Sequence, residues 1–314
     1  MNVLLEEREK IFREFSVYQE LHRTSESELR GIWKGIDTTN SNLEKFKKIS
    51  KDLEEKKSHP LNAIISVFHH WIIKANNFLL HPAESKSVVD FERVKETLID
   101  DMHRFIVLLF FTTIKFYNLN IKDNDNNTDI LVEILTGRVL RDKLYAVLHN
   151  ALSYCLKDDI RLLHQKMLHE ERFDFDSSRY IAGISEIFSF SKDVRKQRIM
   201  LNANQNHSMA DESYDDVDNR ADKRSNRQLK KCMKLLHKLR NIQNPTDKAE
   251  MLVRAVNQIK KEIDDFWVGV DIHRDEKCID ADSMEKLLAY VVLKSKYPKI
   301  VVDLHIIESF SGNY

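Results

Sequence analysis

From Leu4 onward the apolar positions recur with helical spacing. Leu4, Ile11, Phe15 and Tyr18 share one stripe while Glu6, Arg8, Glu9 and Lys10 face elsewhere, which predicts an amphipathic helix. The stretch "TTNSNLEKFKKISKDLEEKK" repeats the device, with Ser41 or Asn42 as cap and a narrow seam of Leu43, Phe46, Ile49 and Leu53 suited to a helical hairpin or short coiled coil. Its Lys47, Lys48 and Lys51 belong on the solvated side. Pro60 opens a third segment that Pro82 closes, in keeping with the fit of proline to a first turn and to the region past a helix end. A long helix is predicted over Val88 to Asn118, followed by helical patterning from Asp129 to Leu168 and, less regularly, over "SSRYIAGISEIFSFSKDVRKQRIM". The last third reads as three further helices: "QLKKCMKLLHKLRNI"; Asn244 to Trp267, with Asn244 or Thr246 as cap, Pro245 in the first turn and an apolar face of Met251, Leu252, Ala255, Val256 and Ile259; and a helix over 282–296.

Two stretches break the pattern. "IKDNDNNTDILVEI" alternates Asp123, Asp125 and Asn127 like a calcium loop, but Thr128 stands where glycine is required and Glu133 falls one residue short, so a polar interhelical loop and a domain boundary are expected there. Residues 202–227 hold only Met209, Tyr214 and Val217 as large hydrophobes, too few to offset the entropy of ordering, and read as a disordered insertion with an acidic cluster at Asp211 to Asp218. The expected organisation is an N-terminal helical region, 1–125, and a second domain, 129–314, carrying that insertion.

Composition strengthens the helical reading. The 314 residues contain 6 glycines and 4 prolines, far too few turn residues for a β-rich fold, so the class is all-α. Fifty Lys and Arg balance fifty Asp and Glu, leaving no global field to draw the chain onto nucleic acid or an anionic membrane. Cys155, Cys232 and Cys278 are odd in number and widely spaced, neither a disulfide framework nor a zinc pattern, and fit a reducing compartment. The N-terminus is charged too early for a signal peptide, and the apolar run Phe105 to Ile114 is far shorter than the roughly 20 residues that span a bilayer, so it is expected to be a buried core helix. The sequons at Asn126 and Asn206 are therefore expected to be silent.

Chemical motifs are sparse. There is no P-loop, dinucleotide glycine pattern, nucleophile elbow or zincin helix, and the tripeptide His273 to Asp275 lacks every other kinase element. Adjacent His69 and His70 diverge on a helix and cannot chelate one metal. What stands out is "DADSMEKLLAYVVLKSKYP". Met284, Leu287, Leu288, Val291 and Val292 commit one face to the core, and helix chemistry alone makes Asp282 the N-cap with Glu285 closing a capping box.

Taken together, Pro245 to Lys248, then Ala281-Asp282, then Leu288-Ala289-Tyr290-Val291-Val292-Leu293-Lys294, with "RDKLYAVLHNALSYCL" upstream, resemble in order and spacing the catalytic domain of the vacuolar-protein-sorting-nine (VPS-nine) family, in its ankyrin-repeat, Varp-like branch. These are guanine nucleotide exchange factors for endosomal GTPases of the Rab-five subfamily. The resemblance covers about Leu135 to the C-terminus and implies a layered all-α domain in which Asp282 is the catalytic carboxylate and Ser283, Lys286 and Tyr290 bind the partner. It implies no cofactor and no metal ligand, a Rab-five-subfamily GTPase as partner, no nucleic acid, membrane contact only peripherally through partners, and a cytoplasmic location at the periphery of endosomes. The family usually has proline where Lys286 stands, and continues with a Gly-Tyr-x-x-Thr element that this chain, ending at Gly312-Asn313-Tyr314, does not reach; the domain is thus expected to be truncated at its C-terminus and weak or inactive in exchange. The alternative from another class is a non-catalytic helical adaptor in vesicle trafficking that docks partners without exchange activity. Either way the chain is expected to regulate or bind a GTPase rather than perform covalent chemistry.

Overall fold

A computed structural model describes residues 42–56, 58–79, 90–119, 126–173, 178, 183–188, 190–205, 229–273 and 276–311. The helix expected from Leu4, the residues Asp123 and Asp125, and Arg274 and Asp275 lie outside them. Among the described residues there are eleven α-helices and no strand. The chain forms an all-α fold in two compact units, one holding the described residues 42–151 and the other 152–311.

The first unit contains α1 (Asn42–Glu55), α2 (Pro60–Ala75), α3 (Phe91–Tyr117), α4 (Asn126–Val139) and most of α5 (Asp142–Cys155). The α1 seam is buried as its spacing requires, at Phe46, Ile49 and Leu53, and α1 packs on α4. Pro60 occupies the first turn of α2, and His59 caps it by accepting the Leu61 N–H at Nδ1. The amide of Asn62 donates to the carbonyls of Leu53 and Lys56, both at 2.9 Å, satisfying acceptors that the end of α1 leaves without helical partners. The Phe68 ring of α2 stacks on Phe105 of α3 at 3.7 Å between centroids. The apolar run in α3 is buried on one side only: Phe105, Ile106 and Leu109 enter the core, while Val107 and Phe111 are exposed. No helix among the described residues is long and apolar enough to cross a membrane. The stretch expected to be an interhelical loop is helical from Asn126, where α4 begins and packs on α3.

Two histidines couple this unit to pH. His69 Nε2 bonds the Val139 carbonyl at 2.7 Å, and His59 Nε2 lies 2.9 Å from the Tyr117 hydroxyl, which donates to Asp52. Burial holds both imidazoles below their ordinary value of 6.5. Above that value each ring is neutral in folded and unfolded chain alike; as pH falls through 6.5 towards the lower folded value, the unfolded chain gains protons that the folded chain refuses, so stability is lost. Thermal melts taken from about pH 7 down to about pH 5 should therefore show a falling midpoint. His69→Gln, which keeps an N–H for Val139, should flatten part of that slope.

The second unit runs from the end of α5 through α6 (Lys157–Glu170), a 3-10 turn (Glu186–Phe188), α7 (Lys192–Gln205), α8 (Lys230–Lys238), a second 3-10 turn (Leu239–Asn241), α9 (Pro245–Phe266), α10 (Ala281–Lys294) and α11 (Ile300–Phe310). Helix α7 continues through Gln205, four residues into the stretch expected to be an insertion, and 206–228 lie outside the described residues. Helices α8 and α9 form a hairpin, with α11 against α9 and α10 against both α6 and α8. Asn244 caps α9 with Pro245 in its first turn, and Arg195 of α7 donates to the terminal carbonyls of Phe266 and Val268. Gly269, at φ 82°, reverses the chain after α9 in a conformation side chains with a Cβ resist. The core gathers Cys232 and Leu236 of α8, Ala255, Ile259, Ile263 and Phe266 of α9, and Leu287, Tyr290 and Val291 of α10. Burial and the neighbouring Glu262 push the Cys232 thiol up to about 12, so it packs as a small apolar group.

Candidate functional site

The site is built on the start of α10. Its N-cap is Asp280, not Asp282: the Asp280 carboxylate accepts the Ser283 N–H at 2.6 Å, and its carbonyl accepts the Met284 N–H at 3.0 Å. The Ser283 amide, then the Ser283 hydroxyl, hold the Asp280 carboxyl below the usual range. The N-cap thus lies two residues before the expected one, and the expected capping box between Asp282 and Glu285 does not form. Asp282 sits in the first turn, exposed, and its carboxylate makes no hydrogen bond or ion pair to any described residue.

Spacing places Asp282, Lys286 and Tyr290 on one stripe, four residues apart. Along it exposure declines: Asp282 is exposed, Lys286 half-buried and Tyr290 only 5% exposed. Ser283, 7% exposed, turns inward beneath the cap. Of the four residues the resemblance implies, Asp282 and Lys286 therefore reach the surface together, while Ser283 and Tyr290 face the interior. Lys286 runs over Gly183, whose φ of 79° and position leave its Nζ 3.4 Å from where a Cβ would stand. At the far end of the helix, Lys294 packs over the Tyr290 ring and donates to the carbonyls of Glu170 and Phe173, pinning α10 to the end of α6.

The face of α10 turned to the core is wider than a single helical stripe. Leu287, Tyr290, Val291 and Leu293 are buried, with Met284, Leu288 and Val292 half-buried, because α6 and α8 clasp the helix from two directions. What remains exposed in its first two turns is Ala281, Asp282 and Glu285, so the tip presents an acidic surface. The two carboxylates at the start of the helix, Asp280 at the cap and Asp282 in the first turn, have separable jobs. Asp280→Ala should lower the stability read by chemical denaturation, by removing the cap. Asp282→Ala should stay within about 0.5 kcal/mol of the parent chain.

At the other end of α10 from this tip lies a polar network that the sequence did not announce. The Lys248 ammonium of α9, 0% exposed, donates to the Leu239 carbonyl at 2.6 Å and to Asp303 Oδ1 at 2.7 Å, and Asp303 of α11 is 1% exposed. The Tyr297 hydroxyl donates to the other Asp303 oxygen, and the Arg240 guanidinium covers the Tyr297 ring. Burial pulls the Lys248 ammonium down while Asp303 opposes the shift. The network joins the end of α8, the start of α9, the turn after α10 and the first turn of α11. Its signal was Asp303 standing alone among the apolar residues of "IVVDLHII".

Among the described residues no group of three or more His, Cys, Asp or Glu is arranged to hold a metal ion. No curated protein and no solved structure matches the chain. The family model described as the Vacuolar sorting protein 9 (VPS9) domain matches residues 229–314, which take in α8 to α11, the Lys248 network and the Asp282 tip. The C-terminal region of this chain, residues 229–314, is a VPS9 domain.

Proposed function

We propose that the chain promotes GDP release from a Rab GTPase of the endosomal Rab-five subfamily, with Asp282 as the operative carboxylate and Lys286 as its surface neighbour. VPS9 domains act as guanine nucleotide exchange factors on Rab GTPases in general, in vesicle trafficking. The observation that carries the reading to a residue is the tip of α10: Asp280 takes the cap and leaves the Asp282 carboxylate exposed without a bond to any described residue. In the resemblance, this aspartate enters the nucleotide site and draws the P-loop lysine and the magnesium contacts away from the phosphates. A carboxylate suits that task because it competes for the same cationic partners through charge-assisted bonds. Stabilising the empty GTPase over the GDP-bound form is differential binding and asks no covalent chemistry of the exchange factor. Ser283 and Tyr290 support the reading from inside, by fixing the helix that presents Asp282. The exchange region is proposed to extend from about residue 129, with action at the endosome periphery.

Capture by immobilised Rab proteins tests the reading. The chain should be retained by nucleotide-free GTPase and released when GDP or a GTP analogue is added. Equal retention in all three nucleotide states would instead mark an adaptor.

A further inference from the structure

The chain as a whole is neutral, but the second unit is not evenly so. Between Leu229 and Thr246 the sequence has five Lys and Arg and no acid. All five exposed residues of α8 are basic: Lys230, Lys231, Lys234, His237 and Lys238. Lys231 pairs with Asp265, and burial and Arg240 keep His237 below its ordinary value. That leaves Lys230, Lys234 and Lys238, at four-residue spacing along one stripe, with no ion pair to any described residue. Arg240 extends the stripe, bonding the Lys296 carbonyl at 3.2 Å, and exposed Lys299 lies three residues further on.

We propose that this face of α8 rests directly on an anionic phospholipid surface. Clustered lysines on an amphipathic helix are the pattern that an acidic leaflet attracts. The apolar residues of α8 are committed to the core, with Cys232 and Leu236 buried and Met233 and Leu235 packed against it, so the exposed face has no aromatic or aliphatic anchor of the sort that protein interfaces use. It likewise lacks the stacking rings that single-stranded nucleic acid requires. The three unpaired cations of α8 are all lysines, compact point charges rather than bidentate forks, which suits a fluid array of headgroups. The placement is also mechanically apt. Arg240 meets the chain at Lys296, just past the C-terminal end of α10, and Asp282 lies at the other end, about 20 Å away at the rise of an α-helix. A membrane under α8 leaves the Asp282 tip open.

The test is co-sedimentation of the full chain with vesicles of phosphatidylcholine alone or with phosphatidylserine added; it contains no GTPase, so its outcome is independent of the exchange reading. Binding is expected only to the phosphatidylserine vesicles, falling steeply with added salt. Lys230→Gln/Lys234→Gln/Lys238→Gln should weaken it roughly a hundredfold, given about 1 kcal/mol per lysine at an acidic surface. The corresponding triple Lys→Arg variant should bind as the parent does. Binding that ignores the triple Gln variant, equal binding to both vesicle types, or binding of a polyglutamate peptide or RNA but not of the vesicles, would each overturn the proposal. Unchanged thermal melts of the exposed-site variants exclude misfolding as the cause of a loss.

Discussion

Asp303→Asn is expected to destabilise the second unit by about 3–5 kcal/mol, the cost of leaving a buried ammonium without its counter-charge. Lys248 cannot move out to water: its side chain is fully buried, and besides pairing with Asp303 it donates to the Leu239 carbonyl. Lys248→Met should be comparably costly, since it leaves the buried Asp303 carboxylate, to which the Tyr297 hydroxyl still donates, without its counter-charge. The double variant Lys248→Met/Asp303→Leu removes both charges together and should recover much of the loss, because the attraction within a buried pair roughly offsets its desolvation. Tyr297→Phe, which deletes one hydrogen bond and keeps the ring under Arg240, should cost only about 0.5–1.5 kcal/mol. Urea denaturation followed by fluorescence of Trp267, buried in this unit, reads all four. Asp303→Asn or Lys248→Met losing less than about 1 kcal/mol, or a double variant that is worse than either, would contradict the assignment of the pair as the link between α9 and α11.

The helical architecture was legible wherever a cap or a proline marked a boundary. Pro60 and Pro245 open α2 and α9 where the sequence placed them, and Asn244 is the cap. The seam of α1 buries the three described residues named for it. At α10 the pattern misled by two residues, because Asp280 and Asp282 both precede an apolar run and only Asp282 has a glutamate three positions on. What decided the cap was Ser283, whose amide and hydroxyl both bind the Asp280 carboxylate. The buried face of α10 was read too narrowly, since a single stripe describes a helix covered from one direction and this one is clasped by two. The strongest apolar run, in α3, is the core helix expected, with Phe105, Ile106 and Leu109 buried, but its length of apolar sequence does not show that Val107 and Phe111 reach solvent. The Lys248 network escaped periodicity altogether. Hydrophobic patterns assign charged residues to the outside, and a charge pair drawn from helices 55 residues apart is visible only once both faces are in contact. For the proposed site, Asp282 is singled out by the resemblance and not by helix chemistry, which would have used it as a cap.

That division between two neighbouring carboxylates is what exchange activity must respect. If Asp282 works by pairing with cationic groups in the nucleotide site, removing it forfeits a charge-assisted interaction made only with the nucleotide-depleted GTPase. Such interactions contribute about 1.5–3 kcal/mol, which corresponds to roughly a ten- to hundredfold fall in accelerated release. Asp280→Ala, by loosening the first turn, should lower release more mildly while reducing stability. Asp282→Asn keeps the size and hydrogen-bonding capacity but not the charge, and should behave like the alanine variant if charge competition is the mechanism.

The measurement that bears most directly on this account is the release of fluorescent GDP from a panel of Rab GTPases, with the full chain as parent and as Asp282→Ala. The account predicts that the parent accelerates release from a Rab-five-subfamily member and that the variant, equally stable, loses about tenfold or more of that acceleration. Release that the parent accelerates and the variant leaves unchanged, or that the parent does not accelerate for any Rab, would contradict it.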